Sequence, residues 1–204
     1  MDRIITGSIL YNLVQCPHRV EMDLFGDVHL RDKINPFVKL LWDRGNDYEQ
    51  EVIEKLDIPF TNLKHLPPEE KETQTYEAMN RGDDVIYGGR ISADDLVGEP
   101  DILRRIGTKY VAGDIKSGAG EEGGNEDTDG KPKKHYAVQL ALYTDILERR
   151  GYSGGRSPFV WDVNGQEVVY DLGAPQGVKK TATLWDEYLE VLELAQRIMT
   201  GNES

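Results

Sequence analysis

The sequence predicts a single α/β domain over residues 1–204. A chain of 204 residues can bury one sizeable core. Short apolar segments follow one another closely after residue 84, with glycine and charged turns between them, and helical patterns stand before and after them. Because the strand segments are consecutive, repeated βαβ winding is not favoured. We expect helices in residues 1–57, the strand-rich core in 84–171 and a closing helix in 181–200.

Two helices are predicted in the N-terminal part. Apolar residues recur at helical spacing from Ser8 to Phe25. The second helix is expected to start with Asn35 as its cap and Pro36 in its first turn. Its apolar stripe contains Trp42, Val52, Ile53 and Leu56. Glu49 lies within the same stripe, which predicts an acidic side chain on the buried face.

The next segment, PPEEKETQTYEAMNRGDD, is predicted to be a short polar helix or an ordered loop, and three strands follow as a meander. Their sequences are DVIYGGRIS, DDLVGEPDILRRI and KYVAGDIKS. Residues 118–134 are rich in glycine, acidic residues and proline, which indicates a mobile loop.

A well-buried helix is expected next, because HYAVQLALYTDILERR is apolar nearly all round. A hairpin turning at Asn164-Gly165 and an amphipathic helix complete the chain.

Composition restricts the possible functions. The net charge of −13 disfavours a protein that binds nucleic acid over its whole surface, although it leaves room for a local site. No apolar stretch is long enough to span a bilayer, and the N-terminus lacks a secretory signal, so we expect a cytoplasmic protein without membrane association. A single cysteine excludes an intramolecular disulfide.

Asp101, Asp114 and Lys116 form the most informative cluster. Alternation along a strand places Asp114 and Lys116 on one face, and Asp101 follows the Pro100 turn that enters the preceding strand. If the two strands are neighbours, the carboxylates converge and repel each other unless a cation lies between them. Oxygen ligands of this kind suit Mg²⁺ or Mn²⁺. The alternative is that these are solvated residues at turns.

A divalent ion between such carboxylates would polarise a phosphoryl oxygen and lower the pKa of water, and a neighbouring lysine could orient that water. Gln139 and Tyr143 lie at i, i+4 on the buried helix, which places them on one face. Packing alone could also explain both residues, and Glu49 could equally turn its carboxylate into solvent.

Four segments in order resemble a known family. EPD to DIK is similar to the signature of the PD-(D/E)XK nuclease superfamily, and QLALY resembles the Gln-x-x-x-Tyr motif of its RecB-like branch. RGNDYE resembles the first motif of that branch. CPHR resembles the opening of CRISPR-associated adaptation nucleases of the Cas-four type. The resemblance extends from Cys16 to Tyr143.

The resemblance implies a restriction-endonuclease-like core, with a mixed sheet of about four to five strands flanked by helices. It implies that Asp101, Asp114 and the Ile115 carbonyl hold Mg²⁺ or Mn²⁺, with Glu49 completing the ligands. Lys116 would then serve the attacking water. Gln139 and Tyr143 would bind substrate or steady the site.

The function implied by the resemblance is metal-dependent hydrolysis of DNA, of single strands or of ends, in repair, recombination or CRISPR-adaptation-like processing. DNA, and other DNA-processing or CRISPR adaptation proteins, would be the partners. One alternative is a catalytically inactive module of the same fold that binds DNA or protein. Another is an α/β scaffold in which the motifs are coincidental.

Cysteine content separates this chain from the iron–sulfur members of the family. Those members place one cysteine near the N-terminus and three after the last helix, whereas this chain contains only Cys16. One thiolate cannot hold a cluster, so no iron–sulfur cluster is expected. Cys16 is expected to be a small apolar residue under the N-terminal helix.

Overall fold

The computed structural model describes residues 4–123, 130–177 and 180–201. These residues form a mixed α/β structure, as the sequence predicts. The α-helices of the described ranges are α1 (Gly7–Gln15), α2 (Pro17–Phe25), α3 (Pro36–Glu54), α4 (Pro68–Arg81), α5 (Lys134–Arg149) and α6 (Leu184–Thr200). Their strands are β1 (Ile5–Thr6), β2 (Thr61–Asn62), β3 (Val85–Tyr87), β4 (Ile91–Ala93), β5 (Leu96–Gly98), β6 (Ile102–Ile106), β7 (Lys109–Ile115), β8 (Glu121–Glu122), β9 (Lys131–Pro132), β10 (Phe159–Trp161) and β11 (Glu167–Val169).

The main sheet has the strand order β11-β10-β7-β6-β3-β2. β10 pairs with β7 and β2 pairs with β3 in parallel, while the other neighbours are antiparallel. The sheet therefore has six strands where four to five were expected, because the short strands β2 and β11 extend its edges. α1, α5 and α6 share one apolar core on one face, and α3 packs in a second core on the opposite face.

The expected three-strand meander is wrong, because two of its three segments each form two strands. DDLVGEPDILRRI forms β5, in a smaller sheet with β4, and β6, in the main sheet. The segment DVIYGGRIS forms two strands, β3 and β4, and β4 belongs to a separate sheet of order β1-β5-β4. Gly88 separates them with φ +65°, and a Cβ there would lie 2.7 Å from the Lys64 Cα. Only glycine accommodates both this backbone conformation and this approach. The chain leaves the main sheet at Gly88 and returns to it in β6.

The N-terminal helices also differ from expectation. The predicted helix over Ser8–Phe25 is two helices that meet at Cys16-Pro17, because proline lacks the backbone N–H and pushes the preceding residue into extended conformation. Cys16 is exposed, so its predicted burial is wrong. In α3, Ile53 and Glu49 are buried as expected, whereas Trp42 is 52% exposed. The N-terminal half of α3 extends beyond the core.

The remaining elements largely agree with the sequence. Asn35 caps α3 by accepting a hydrogen bond from Phe37 N at 2.8 Å, and α5 is buried along most of its length. The predicted loop 118–134 contains the β8–β9 ladder, and residues 124–129 of it lie outside the described residues. β10 and β11 form the expected hairpin. Within the described ranges, no helix is both long enough and apolar enough to cross a bilayer.

Candidate active site

The β6–β7 register brings two carboxylates together. Ile102 is paired with Gly113, so Asp101 and Asp114 are adjacent at the same end of the hairpin. Asp101 N lies 3.4 Å from Asp114 Oδ1, and Ile115 N donates to Asp101 Oδ2 at 2.8 Å. β6 and β7 are neighbouring strands, so the two carboxylates converge.

Glycine at position 113 allows β7 to carry this site in the centre of the sheet. A Cβ on Gly113 would lie 2.3 Å from the Phe159 ring, so glycine lets the ring of β10 cover β7 directly. Val160 pairs with Asp114, and Lys116 N donates to Trp161 O at 2.9 Å. With strands on both sides, the Asp114 segment is buried.

Asp114 has an unsatisfied buried oxygen. The residue is 2% exposed, and its Oδ2 accepts no hydrogen bond from any described residue. The Lys116 ammonium lies 2.8 Å from this oxygen, in ion-pair contact. Buried carboxylate oxygens are normally satisfied, so this atom has free capacity for a ligand.

The surroundings of Asp101 disfavour its ionised form. Burial and the charge of Asp114 raise the pKa of Asp101 to about 7, despite the opposing charge of Lys116. The pair therefore resists full ionisation without an additional cation. A divalent ion fits this donor set, because it would relieve the repulsion and use the free Asp114 oxygen.

Lys116 is held as an ammonium ion. Burial lowers its pKa, but the charges of Asp114 and Asp101 raise it by more, so the net shift is upward. Its Nζ donates to Gln139 Oε1 at 3.2 Å, and Gln139 Nε2 donates to the Tyr143 hydroxyl at 2.8 Å. Tyr143 is 3% exposed, and burial raises its pKa. It lies behind Gln139, where it can orient that side chain rather than meet substrate.

Glu49 reaches the site from the other side of the sheet. Asp114 lies on the face covered by α5, while α3 packs on the face of Val111 and Ile115. Glu49 Oε1 accepts a hydrogen bond from Lys64 Nζ at 2.5 Å, and the same Nζ is 3.8 Å from Asp101 Oδ1. Lys64 therefore contacts both Glu49 and Asp101, and the charge of Glu49 also acts on Asp101 directly.

The described residues contain no group of three or more His, Cys, Asp or Glu side chains placed to hold a metal ion together. The structure thus joins Asp101, Asp114 and Lys116 directly and leaves Glu49 one contact away. Sequence analysis missed Lys64, because its position depends on the parallel pairing of β2 with β3. No local pattern around Lys64 indicates that pairing.

The site opens into a cleft of about 630 Å³ between α1, α3 and α5. Asp101, Ile115 and Lys116 lie at its base with Glu49 and Gln139. Its other lining residues, which the sequence did not indicate as functional, are Ser8, Tyr11, Asn12, Leu41, Trp42, Gly45, Asn46, Ser117 and Tyr136.

No family model matches the sequence, and a comparison with curated proteins gives no significant match. Function is therefore inferred from the chemistry of the site itself.

Proposed function

We propose that this protein is a Mg²⁺- or Mn²⁺-dependent deoxyribonuclease that hydrolyses phosphodiester bonds in single-stranded DNA or at DNA ends. The observation that carries this proposal is the convergence of Asp101 and Asp114, with an unsatisfied buried oxygen, beside the Lys116 ammonium. Two neighbouring carboxylates repel each other, one of them buried and the other partly buried, and a bound cation would relieve that repulsion.

The fold supports the same proposal at a coarser level. A restriction-endonuclease-like core of the RecB-like branch is the arrangement implied by the sequence motifs. A mixed sheet whose central β6–β7 hairpin carries Asp101 and Asp114, followed by the buried helix α5 with Gln139, is consistent with it.

Asp101, Asp114 and the Ile115 carbonyl would hold the ion, with Glu49 as a further ligand. When bound, such an ion supplies Lewis-acid polarisation of the phosphoryl oxygen and hydroxide at neutral pH. Lys116 donates from its ammonium group to the attacking water or to the developing negative charge on phosphate. Gln139, fixed by Tyr143, limits the positions that the Lys116 side chain can take.

A second function, a catalytically inactive DNA- or protein-binding module, is favoured by one observation. Lys64 pairs with Glu49 and reaches Asp101, so a cation already neutralises part of the carboxylate cluster. Such a module would need no metal. The lysine beside the buried Asp114 oxygen favours the enzyme over this alternative, because a lysine at that position could serve the attacking water.

The decisive test is incubation of labelled single-stranded DNA, duplex DNA and RNA with the protein, in Mn²⁺ and in EDTA. We expect Mn²⁺-dependent cleavage of DNA. Asp114→Ala and Lys116→Ala should each lose at least about 100-fold in rate, because each removes a group that acts on the reacting atoms. Metal-free melting should show that both variants remain folded.

Asp57→Ala and Lys55→Ala serve as matched controls, since both residues are exposed. They should cut at the wild-type rate. Wild-type rates in the Asp114 and Lys116 variants would eliminate the nuclease proposal, and DNA binding without cleavage would support the inactive module.

A further inference from the structure

Lys64 supplies a second positive charge near the carboxylates, in addition to that of Lys116. Its ammonium lies 2.5 Å from Glu49 Oε1 and 3.8 Å from Asp101 Oδ1. Burial lowers the pKa of Lys64, but the hydrogen bond to Glu49 and the charges of Asp101 and Glu49 raise it by more. The side chain is therefore a cation held between two candidate metal ligands.

Charge balance explains why a cation is needed at this position. Glu49, Asp101 and Asp114 supply three carboxylates, and Lys116 pairs with Asp114. Lys64 supplies the cation for the remaining pair. A divalent ion bound by the same oxygens would compete with the Lys64 ammonium for Glu49, because both draw on the same carboxylate charge.

The Lys64 head group has room to move, while its backbone does not. Glu49 and Lys64 both line a second cavity of about 540 Å³, together with Phe60, Asn62 and His65. Lys64 N donates to Asn62 Oδ1 at 3.1 Å, and the Lys64 Cα closely approaches Gly88. The anchored backbone and the flexible four-carbon stem allow the ammonium to swing into this cavity.

Resting on the function proposed above, we propose that Lys64 is an internal counter-ion that an incoming metal ion displaces from Glu49, so that Lys64 sets the metal concentration at which the site fills. Lys64 is a positioning residue here, because it acts through Glu49. With the metal absent it holds Glu49 near the aspartates, and with the metal bound Glu49 becomes available as a ligand.

Calorimetric titration with Mn²⁺ tests this on four proteins: wild type, Lys64→Met, Glu49→Gln and the double variant. Lys64→Met should tighten the Mn²⁺ Kd about tenfold, which matches the loss of one charge-assisted hydrogen bond that competes with the ion. In the Glu49→Gln background the same change should tighten Kd by less than about threefold, because Glu49 is no longer the shared ligand.

Lys55→Met is the matched control, since Lys55 is an exposed lysine paired with Glu51. It removes one positive charge at a distance from the site and should leave the Mn²⁺ Kd unchanged.

A second variant, Lys64→Gln, serves if Lys64→Met does not fold. Melting in EDTA and in Mn²⁺ gives an independent readout, in which Lys64→Met should gain more from the ion than wild type does.

Two results would overturn the inference alone. One is an unchanged Kd in Lys64→Met. The other is an equal gain with and without Glu49, which would mean that Lys64 acts through its long-range field. Absence of Mn²⁺ binding in wild type would overturn the proposed function as well, so the two failures are distinguishable.

Discussion

Asp101 gives the metal-free protein a pH signature at the residue scale. Its pKa of about 7, raised by burial and by Asp114, stands well above the value of about 3.9 in an unfolded chain. At pH values between about 4 and about 7, the Asp101 carboxyl is protonated in the folded protein and ionised in the unfolded chain. The stability contributed by this group is therefore fully present below about pH 4 and is lost as the pH rises through 7.

We expect Asp101→Asn, which cannot ionise, to become more stable relative to wild type as the pH rises from about 5 to about 8 in EDTA. The gain in Tm should grow by at least about 2 °C over this range. Thermal melts followed by circular dichroism measure it, with Asp57→Asn as the exposed control. A Tm difference that stays constant with pH would contradict the raised pKa.

Cys16 leads to a second prediction at this scale. Because its side chain is exposed at the junction of α1 and α2, it should react quickly with a thiol reagent in the native protein. Cys16→Ala should cost little stability and leave cleavage unchanged. The purified protein should be colourless, without stoichiometric iron. A brown protein with iron–sulfur absorbance would contradict this expectation.

Contact between Gly113 and Phe159 fixes the pairing of β7 with β10 at the element scale. Gly113→Ala would force its Cβ against the Phe159 ring, which lies 2.3 Å from the ideal Cβ position. Overpacking of this kind costs about 1–3 kcal/mol, so we expect a Tm loss of several degrees and slower cleavage from a displaced Asp114. Gly177→Ala is the control, since its Cβ meets no heavy atom within 4 Å. Equal Tm values for the two variants would show that β10 shifts to accommodate the added methyl group without loss of stability.

Elements set by local chemistry were predictable from the sequence. Asn35 and Pro36 defined the start of α3, and the alternation along β7 placed Asp114 and Lys116 on one face. The single helix predicted over Ser8–Phe25 is wrong because Pro17 interrupts it, even though the apolar periodicity continues past the proline. Trp42 fits the same stripe as Ile53, yet it is 52% exposed, because periodicity alone does not determine which parts of a helix face are covered.

The same distinction applies to the candidate site. Asp101 and Asp114 could be placed together because their strands form a hairpin with a short connection. The Lys64 contact to Glu49 depends on β2 pairing in parallel with β3, which joins parts of the chain across α4. Long-range pairings of this kind leave no signature in a local pattern. The sequence therefore indicates Glu49 as a candidate ligand but does not indicate Lys64 as its partner.

At the scale of the whole molecule, the charge of −13 limits how DNA can bind. Lys64 and Lys116, the lysines nearest the carboxylates, are both already paired with them. We therefore expect weak binding of single-stranded DNA in EDTA, with a slope of log K against log salt no steeper than about −2. Fluorescence anisotropy over a range of salt concentrations measures the slope, and a divalent ion should strengthen binding. A slope steeper than about −4 in EDTA would contradict this expectation.

The topology of the main sheet also orders the events of folding. The β6–β7 hairpin pairs neighbouring segments of the chain, whereas β10 joins β7 only after α5. Hairpins form within microseconds, and pairings between distant segments are slower. We therefore expect Asp101 and Asp114 to come together while water still screens them, and their repulsion to become costly only when β10 and α5 exclude that water. We expect the unfavourable charge pair to oppose the last docking step, leaving the first collapse of the chain largely unaffected.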